Sequence, residues 1–529
     1  MRSFLETAWF PYALYAVTVA VLWPAYRFDL SPDQVSYLNL AWQYAQGNWD
    51  EAVNGFWSPL LIWLMTPAIV CGLSPWLAAK VVCLGSGALL LSGFRRLIPL
   101  FAPAAPAVLT AIATVFTAAI ALRTSADILS AGLLLHYFAE IWNPTWTRRP
   151  WRLGFLGALL YLAKNYLLFF FLLHLTFSAL VEMARRSAWL TVARSGALAM
   201  GFMVVLSGGW IAILSSHYGS FTTSRAGAVN LRMVGPESSG YRQHKVLVAP
   251  SSTQAFSMLQ DPPPGLLPTW NPASPEGIRQ LIRLFKKNLR WLADIYEGET
   301  LLWLAIVLLF ILTAETTTPD RFWIGPVLTL LLLPAGYLLV IVVDRYLWST
   351  YYLFLLMGGA ALARLSTPWP VNRLAWRCLA ATGAASFLWA ALSTARNSEG
   401  IGRTEWEIAQ HLRPLVAPES HVLSCGAYES SLLISYHLGA RFYGLIREGA
   451  EDRQYARELN PAYDRSTASK LPPVPPDIKD RLDRFRPDWL LIWPSCEGIP
   501  VEVQNRLQAP LPMQLPGGAQ ALPFRKNDP

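Results

Sequence analysis

The hydrophobic residues of this chain come in long unbroken blocks, not at the 3.6-residue or alternating spacings that build a soluble core. Blocks long enough to cross a bilayer lie at about 8–25, 76–94, 104–122, 127–142, 195–215, 299–314, 323–343, 349–364 and 376–394. A further apolar stretch, 153–183, is interrupted by Lys164 and Asn165 and is too long for one span, so it predicts a hairpin of a short and a longer helix. The pattern therefore predicts an α-helical polytopic membrane protein with about eleven transmembrane helices. Segment 59–72 is apolar but too short to cross, and it follows Ser58 and Pro59, which predicts an interfacial or re-entrant helix.

Composition agrees with this reading. Hydrophobic residues make up 53% of the 529 and charged ones only 15%, and the mean hydropathy is +0.33. The 23 Trp and 20 Tyr suit a chain with two membrane–water interfaces. A net charge of +9 is compatible with nucleic acid, but the basic residues sit in small clusters between apolar blocks, which is a topology signal instead. One side collects Arg2, Arg95, Arg96, Arg148, Arg149, Arg152, Arg185, Arg186, Arg194, Arg321, Arg364, Arg373 and Arg377. The short connections of the other side hold only Arg27, Arg123, Lys164 and Arg345. The rich side is predicted to be cytoplasmic, which puts three long segments outside: 26–75, 216–298, and the tail from about 395.

The second outer segment ends in EGIRQLIRLFKKNLRWLADIY, where Arg279, Arg283, Lys286, Lys287 and Arg290 recur at helical spacing. Ile278, Leu281, Ile282, Phe285, Leu289 and Leu292 form the opposite stripe, which predicts a basic amphipathic helix on the membrane surface, holding lipid headgroups. A solvated face against a protein core is the alternative. The chain divides into a membrane domain, 1–394, and a small α/β extracytoplasmic domain, 395–529. In the latter, HVLSC (421–425) and DWLLIWP (488–494) predict strands, 404–415 and 428–438 predict helices, and the polar, Pro-rich 446–487 predicts loop. No Gly-rich phosphate loop follows either strand, so no nucleotide site is expected. Cys425 and Cys496 can pair in an oxidising compartment.

The chemistry-bearing residues gather on the outer side. Asp33 opens the first long polar break, followed by Tyr37 and Ala41 at helical spacing and a Gly-rich turn into Ser58-Pro59-Leu60. Arg123 and Asp127 flank the start of the fourth span, Lys164 sits at the hairpin tip, and Arg345 lies beside Asp344 between two spans. An ionisable group at membrane depth costs about 2.5–3.5 kcal/mol on insertion scales, so such groups are paired or functional. Plainer roles exist for each: a local Arg123–Asp127 pair, a snorkelling Lys164, a span boundary at Asp344-Arg345, a helix cap at Asp33 and a polar loop position for His217. Together, two carboxylates and several cations on one face suit transfer of a sugar from a lipid phosphate. Cations neutralise the leaving phosphate, and a carboxylate takes the acceptor's proton.

Asp33, Gln34, Tyr37 and Ala41, with Gly55-Phe56-Trp57-Ser58-Pro59-Leu60, resemble the first outer loop of GT-C-fold glycosyltransferases, the group of protein O-mannosyltransferases and bacterial lipid A aminoarabinose transferases. Asp127, the GFLGALLYLAKN helix ending on Lys164, and Arg345-Tyr346 match later features of that family. Gln34 departs from it, standing where the family has a second acid, and Trp57 and Ser58 stand where relatives carry a basic residue before the Pro. Asp29 is a rival for the Asp33 position.

The resemblance implies an inverting transferase of a hexose or pentose in the inner membrane, with its active site on the outer, periplasmic face. The donor is a polyprenyl-phosphate-linked sugar, and the acceptor a glycan, lipid or protein. The expected catalytic residues are Asp33 and Asp127, and the expected substrate-binding residues are Arg345, Lys164, Arg123, Tyr37, His217, Arg283 and Lys287. A divalent metal is possible with two carboxylates nearby, but no metal ligands are assigned and Gln34 argues against one. Membrane lipids are the other partner; no nucleic acid is expected. A lipid-linked sugar flippase and a non-catalytic envelope assembly subunit are the competing readings; the first calls for repeat symmetry and broken helices at mid-membrane, which the sequence lacks.

Overall fold

The computed structural model describes residues 7, 9–184, 189–237, 246–263, 265, 267–314, 323–365, 373–463, 474, 476–508 and 512–525. Arg2, Arg185, Arg186 and Arg321 of the topology argument lie outside these residues. The chain opens with α1 (Phe10–Tyr26), followed by α2 (Pro32–Ala45) and α3 (Pro59–Val70) in the first outer segment. The bundle continues through α4 (Pro75–Phe101), α5 (Pro106–Ala121), α6 (Ala126–Ile141), α7 (Pro150–Ala163), α8 (Tyr166–Met183) and α9 (Trp189–His217). The second outer segment carries α10 (Ala226–Met233) and α11 (Pro275–Glu299). Then come α12 (Trp303–Leu312), α13 (Ile324–Ala335), α14 (Trp348–Leu365) and α15 (Arg373–Asn397).

Each predicted apolar block contains a helix, but 299–314 is interrupted at 300–302 and 323–343 is no longer helical from 340 on; Lys164, in extended backbone, separates α7 from α8 as the hairpin requires. Among the described residues five helices are long and apolar enough to cross a bilayer alone, or six if α11 and α12, bent by 84°, form one broken span. The expected number of about eleven rests on admitting shorter helices such as α1 and α5. Several helices start the same way, with Ser at the N-cap and Pro at the first position: Ser31, Ser58, Ser74 and Ser274. That pairing pre-sets the backbone and places a small polar group at the open N–H groups.

Helix α11 turns an unexpected face inward. Gln280, Leu284, Asn288 and Leu292 are buried, with the Gln280 amide donating to Val234 O (2.8 Å) and Asn460 Oδ1 (2.9 Å). Ile278, Ile282, Phe285 and Leu289 stay exposed beside the basic residues. That apolar ridge is left uncovered by protein, while the face carrying Gln280, Leu284 and Asn288 is the one packed inward.

The C-terminal part contains α16 (Arg403–Leu412), β1 (His421–Cys425), α17 (Tyr428–Leu438), β2 (Arg441–Arg447), α18 (Ala450–Leu459), α19 (Ile478–Phe485), β3 (Trp489–Ile492), β4 (Met513–Gln514) and β5 (Gln520–Pro523). The sheet order is β2-β1-β3-β5-β4, parallel across the first three strands and antiparallel thereafter. The expectation of loop over 446–487 is corrected at its ends, where β2 finishes and α18 and α19 form. These helices bury few side chains, Asp452, Ala456 and Leu459 in one and Ile478 and Leu482 in the other, so their polar composition resembled loop. Cys425 and Cys496 form a disulfide from the end of β1 to the segment after β3. The second outer segment adds to the β2 edge, with Leu247 N–H donating to Leu445 O (2.9 Å) and Val248 N–H to Tyr443 O (3.0 Å). Helix α17 packs on α2, which brings this sheet domain over the first outer segment.

Candidate active site

The first turn of α2 carries the opening acid. Ser31 is the N-cap, and its backbone N–H donates to the Gln34 side chain at 2.7 Å. Capping therefore falls to Ser31 and Gln34, which corrects the alternative that Asp33 is the cap. The Asp33 carboxylate instead accepts from the Arg345 guanidinium and forms an ion pair with it. Gln34, buried, has a structural task at the position where the family has a second acid.

Asp127 lies in the first turn of α6, where the helix dipole favours a negative group. Ser125 caps that helix: its hydroxyl accepts from Asp127 N–H (3.1 Å) and donates to the Asp127 carboxylate (2.8 Å). The same carboxylate pairs with Lys164 and, at 3.4 Å, with Arg345 Nε. Arg345, in the tight turn Asp344–Leu347 ahead of α14, thus bridges the two carboxylates. Lys164 lies 3.3 Å from the Tyr346 ring centroid and 5.6 Å from that of Tyr337. Burial lowers the Lys164 ammonium from the usual lysine range to about 8, against the opposing pull of Asp127.

Two carboxylates and two cations balance to zero, but they are not equivalent. The Asp127 side chain is 8% exposed and saturated by three partners; the Asp33 side chain is 35% exposed and, among the described residues, its one charged partner is Arg345. Asp33 can accept a proton from an incoming hydroxyl. Asp127 holds the two cations in place.

The first outer segment is fixed around this cluster by a close-packed turn. A Cβ on Gly55 would lie 2.9 Å from the Tyr218 ring and 3.1 Å from Arg225 Cγ. Gly55 N–H donates to the Tyr218 hydroxyl (2.9 Å), and Gly55 O accepts from Arg225 N–H (2.7 Å). Asp261 accepts from both Tyr218 (3.1 Å) and Arg225 (3.2 Å), and burial raises its carboxyl above the usual range against the effect of Arg225. Ser58 then takes the Asn165 N–H at 2.9 Å, tying the turn to the hairpin tip that presents Lys164.

No protein-family model matches the chain, and no curated protein matches it significantly. Among solved structures, ArnT from Cupriavidus metallidurans bound to undecaprenyl phosphate superposes with a TM-score of 0.55 and 14% identity, over 98% of each chain. The apo state of ArnT gives a TM-score of 0.53 over 97% of each, again at 14% identity. The fold is that of ArnT. That likeness runs along the whole chain, and among the described residues it carries the five, or six, helices long and apolar enough to cross a membrane.

Within this ArnT fold, Asp33, Asp127, Lys164 and Arg345 form one cluster. Tyr37 lies half-buried near it, its ring 5.0 Å from Trp57. Arg123 pairs with Asp344 at 3.6 Å, so the local Arg123–Asp127 pair does not form. His217, Arg283 and Lys287 make no ion pair with the four. His217 packs edge-on to Tyr218 (4.7 Å), and Arg283 is half-buried on α11. The Lys287 ammonium donates to the carbonyls of Glu458 and Leu459 (2.8 Å each), at the negative end of α18. The rival Asp29 is sealed in the protein beside Lys80.

Ser125 and the Tyr218–Arg225–Asp261 group escaped sequence reasoning, and Ser58 was read in the turn but not as its tie to the hairpin tip. Only Ser125 left a signal there, a cap residue directly ahead of a helix with an acidic first turn. Among the described residues no group of three or more His, Cys, Asp or Glu could hold a metal ion. With Asp127 saturated and Gln34 used in capping, this donor set does not fit a divalent cation.

Proposed function

We propose that the chain is a membrane glycosyltransferase that moves a sugar from a polyprenyl-phosphate donor to an acceptor hydroxyl at the outer face of the cytoplasmic membrane. The observation that carries this reading is Asp33, a partly open carboxylate in a cluster with two phosphate-competent cations. The ArnT fold, seen elsewhere with undecaprenyl phosphate bound, supports a lipid phosphate as the donor's leaving group.

In this reading Asp33 takes the proton of the acceptor hydroxyl as its oxygen attacks the anomeric carbon. The bond from that carbon to the phosphate oxygen breaks, and its electron pair leaves with the polyprenyl phosphate. Arg345 and Lys164 neutralise the phosphate, and Asp127 holds both in register. Attack opposite the leaving group inverts the anomeric centre. Arg123, Tyr37 and His217 stand outside the charge cluster and have no part in this step. Arg279, Lys286 and Arg290, exposed on α11 beside its uncovered apolar ridge, and the half-buried Arg283 meet lipid headgroups, while Lys287 anchors the sheet domain. The acceptor is a lipid, an envelope polysaccharide or a protein.

The test is a mass-spectrometric comparison of envelope lipids and glycans from cells with and without the protein. A glycan or lipid lacking one sugar in the deletion is expected; identical profiles, with the protein confirmed as expressed in the parent, would overturn the reading.

A further inference from the structure

Outside the charge cluster, one buried ionic group has no part in the chemistry above. Lys80 lies in the first half of α4, a stretch with no other charge, and is 1% exposed. Its ammonium donates to Leu122 O at 2.6 Å and to Tyr26 O and Asp29 O at 3.4 Å each. It also lies 3.7 Å from the Asp29 carboxylate and 5.7 Å from the Trp76 ring centroid. The Asp29 carboxylate in turn accepts from Thr124 N–H at 3.3 Å.

These contacts join two chain segments that reach the charge cluster from different sides. Tyr26 ends α1, and Asp29 stands two residues before the Ser31 cap of the Asp33 helix. Leu122 is the C-cap of α5, and Thr124 stands one residue before the Ser125 cap of the Asp127 helix. Lys80 satisfies the Leu122 carbonyl at the open end of α5 and adds a second donor to the Tyr26 carbonyl at the end of α1, which already accepts from Asp29 N–H (3.0 Å). Cys83, one turn further along α4, reaches Ser125 O at 3.8 Å and steadies the same turn.

We infer that Lys80 and Asp29 are positioning residues: a buried latch that sets the separation of the Asp33 and Asp127 carboxylates, and hence whether Arg345 can bridge both. The pair is too enclosed to meet a substrate. Its importance lies in where it ties the chain. Apolar side chains of the same volume could pack α4 against α1 and α5, but they could not hold a defined register between the two carboxylate-bearing turns. The role in transfer rests on the proposed function; the latch itself does not.

The test uses the full chain in lipid nanodiscs and the double variant Lys80→Met with Asp29→Asn. Removing both charges avoids the stranded carboxylate that Lys80→Met alone would leave, and which could prevent folding. Hydrogen exchange is expected to rise at least tenfold in residues 26–33 and 122–127, with strand 421–425 unchanged. The transfer rate should fall at least tenfold while the thermal midpoint stays within a few degrees of wild type. Unchanged exchange in the two segments, or a rise that includes 421–425 equally, overturns the latch. Wild-type transfer rates in a double variant with loosened segments overturn its positioning role. If the wild-type protein transfers no sugar at all, the proposed function fails, and the exchange pattern still decides the latch.

Discussion

The Asp33–Arg345 and Asp29–Lys80 pairs start four residues apart on the acidic side and use the same two kinds of charge, yet the protein treats them differently. The Asp33 and Arg345 side chains are 35% and 26% exposed, and their partners extend to a second carboxylate and a second cation. The Asp29 and Lys80 side chains are 6% and 1% exposed, and their remaining bonds go to backbone. An exposed pair can exchange its partner for a substrate; a sealed one can only hold chain segments together. Access, not charge, separates the chemistry from the scaffold here.

Substitutions can break this contrast at either end. The largest effect is expected from Asp33→Asn, which keeps the shape and removes the base; loss of a positioned general base costs about 10²–10⁴-fold in rate. Arg345→Ala comes next. It removes the bridge and a charged donor worth about 1.5–3 kcal/mol, so donor affinity measured by steady-state kinetics should fall about ten- to hundredfold.

A pH series sharpens the same side of the comparison. Lys164 titrates at about 8 because burial disfavours its charge, so it is cationic below that value and neutral above it. Donor KM should be flat at lower pH and rise as pH passes through about 8. Lys164→Arg, which stays protonated, should remove that rise. A wild-type profile with no inflection in donor KM would exclude Lys164 from phosphate binding.

Smaller effects are expected away from the charges. Gly55→Ala pushes a methyl group into Tyr218 and Arg225, and overpacking of this kind costs about 1–3 kcal/mol. The thermal midpoint should drop, with donor KM rising because the turn holds the hairpin tip through Ser58. Cys425→Ser opens the disulfide and should destabilise the sheet domain by about 2–4 kcal/mol. Its effect on transfer should be the least of the series.

The membrane helices were legible because lipid demands long apolar blocks, a signal that survives without alignment. Asp127, Lys164 and Arg345 were legible for the same reason: a charge inside or beside such a block stands out. Lys80 obeys that logic too but passed unnoticed, because a single lysine in a 27-residue helix does not disturb its apolar character. What decides its role is the meeting of α1, α4 and α5 in space, which no local pattern encodes. Gln34 presented the opposite problem. It looked like a lost acid, and the structure gives it work as the partner of the Ser31 cap. Strand β2 and helix α18 were hidden by their composition, one interrupted by Gly444 and the other polar on all but a narrow face.

The decisive measurement sets Asp33→Asn against Asp29→Asn in purified protein, with sugar transfer from a polyprenyl-phosphate donor and the thermal midpoint recorded for both. Asp33→Asn should lose at least a hundredfold in rate with its midpoint near wild type. Asp29→Asn should lose stability and keep its rate within about tenfold. Wild-type-like transfer by Asp33→Asn, or the loss of chemistry falling on Asp29→Asn instead, would contradict the assignment of Asp33 as the base.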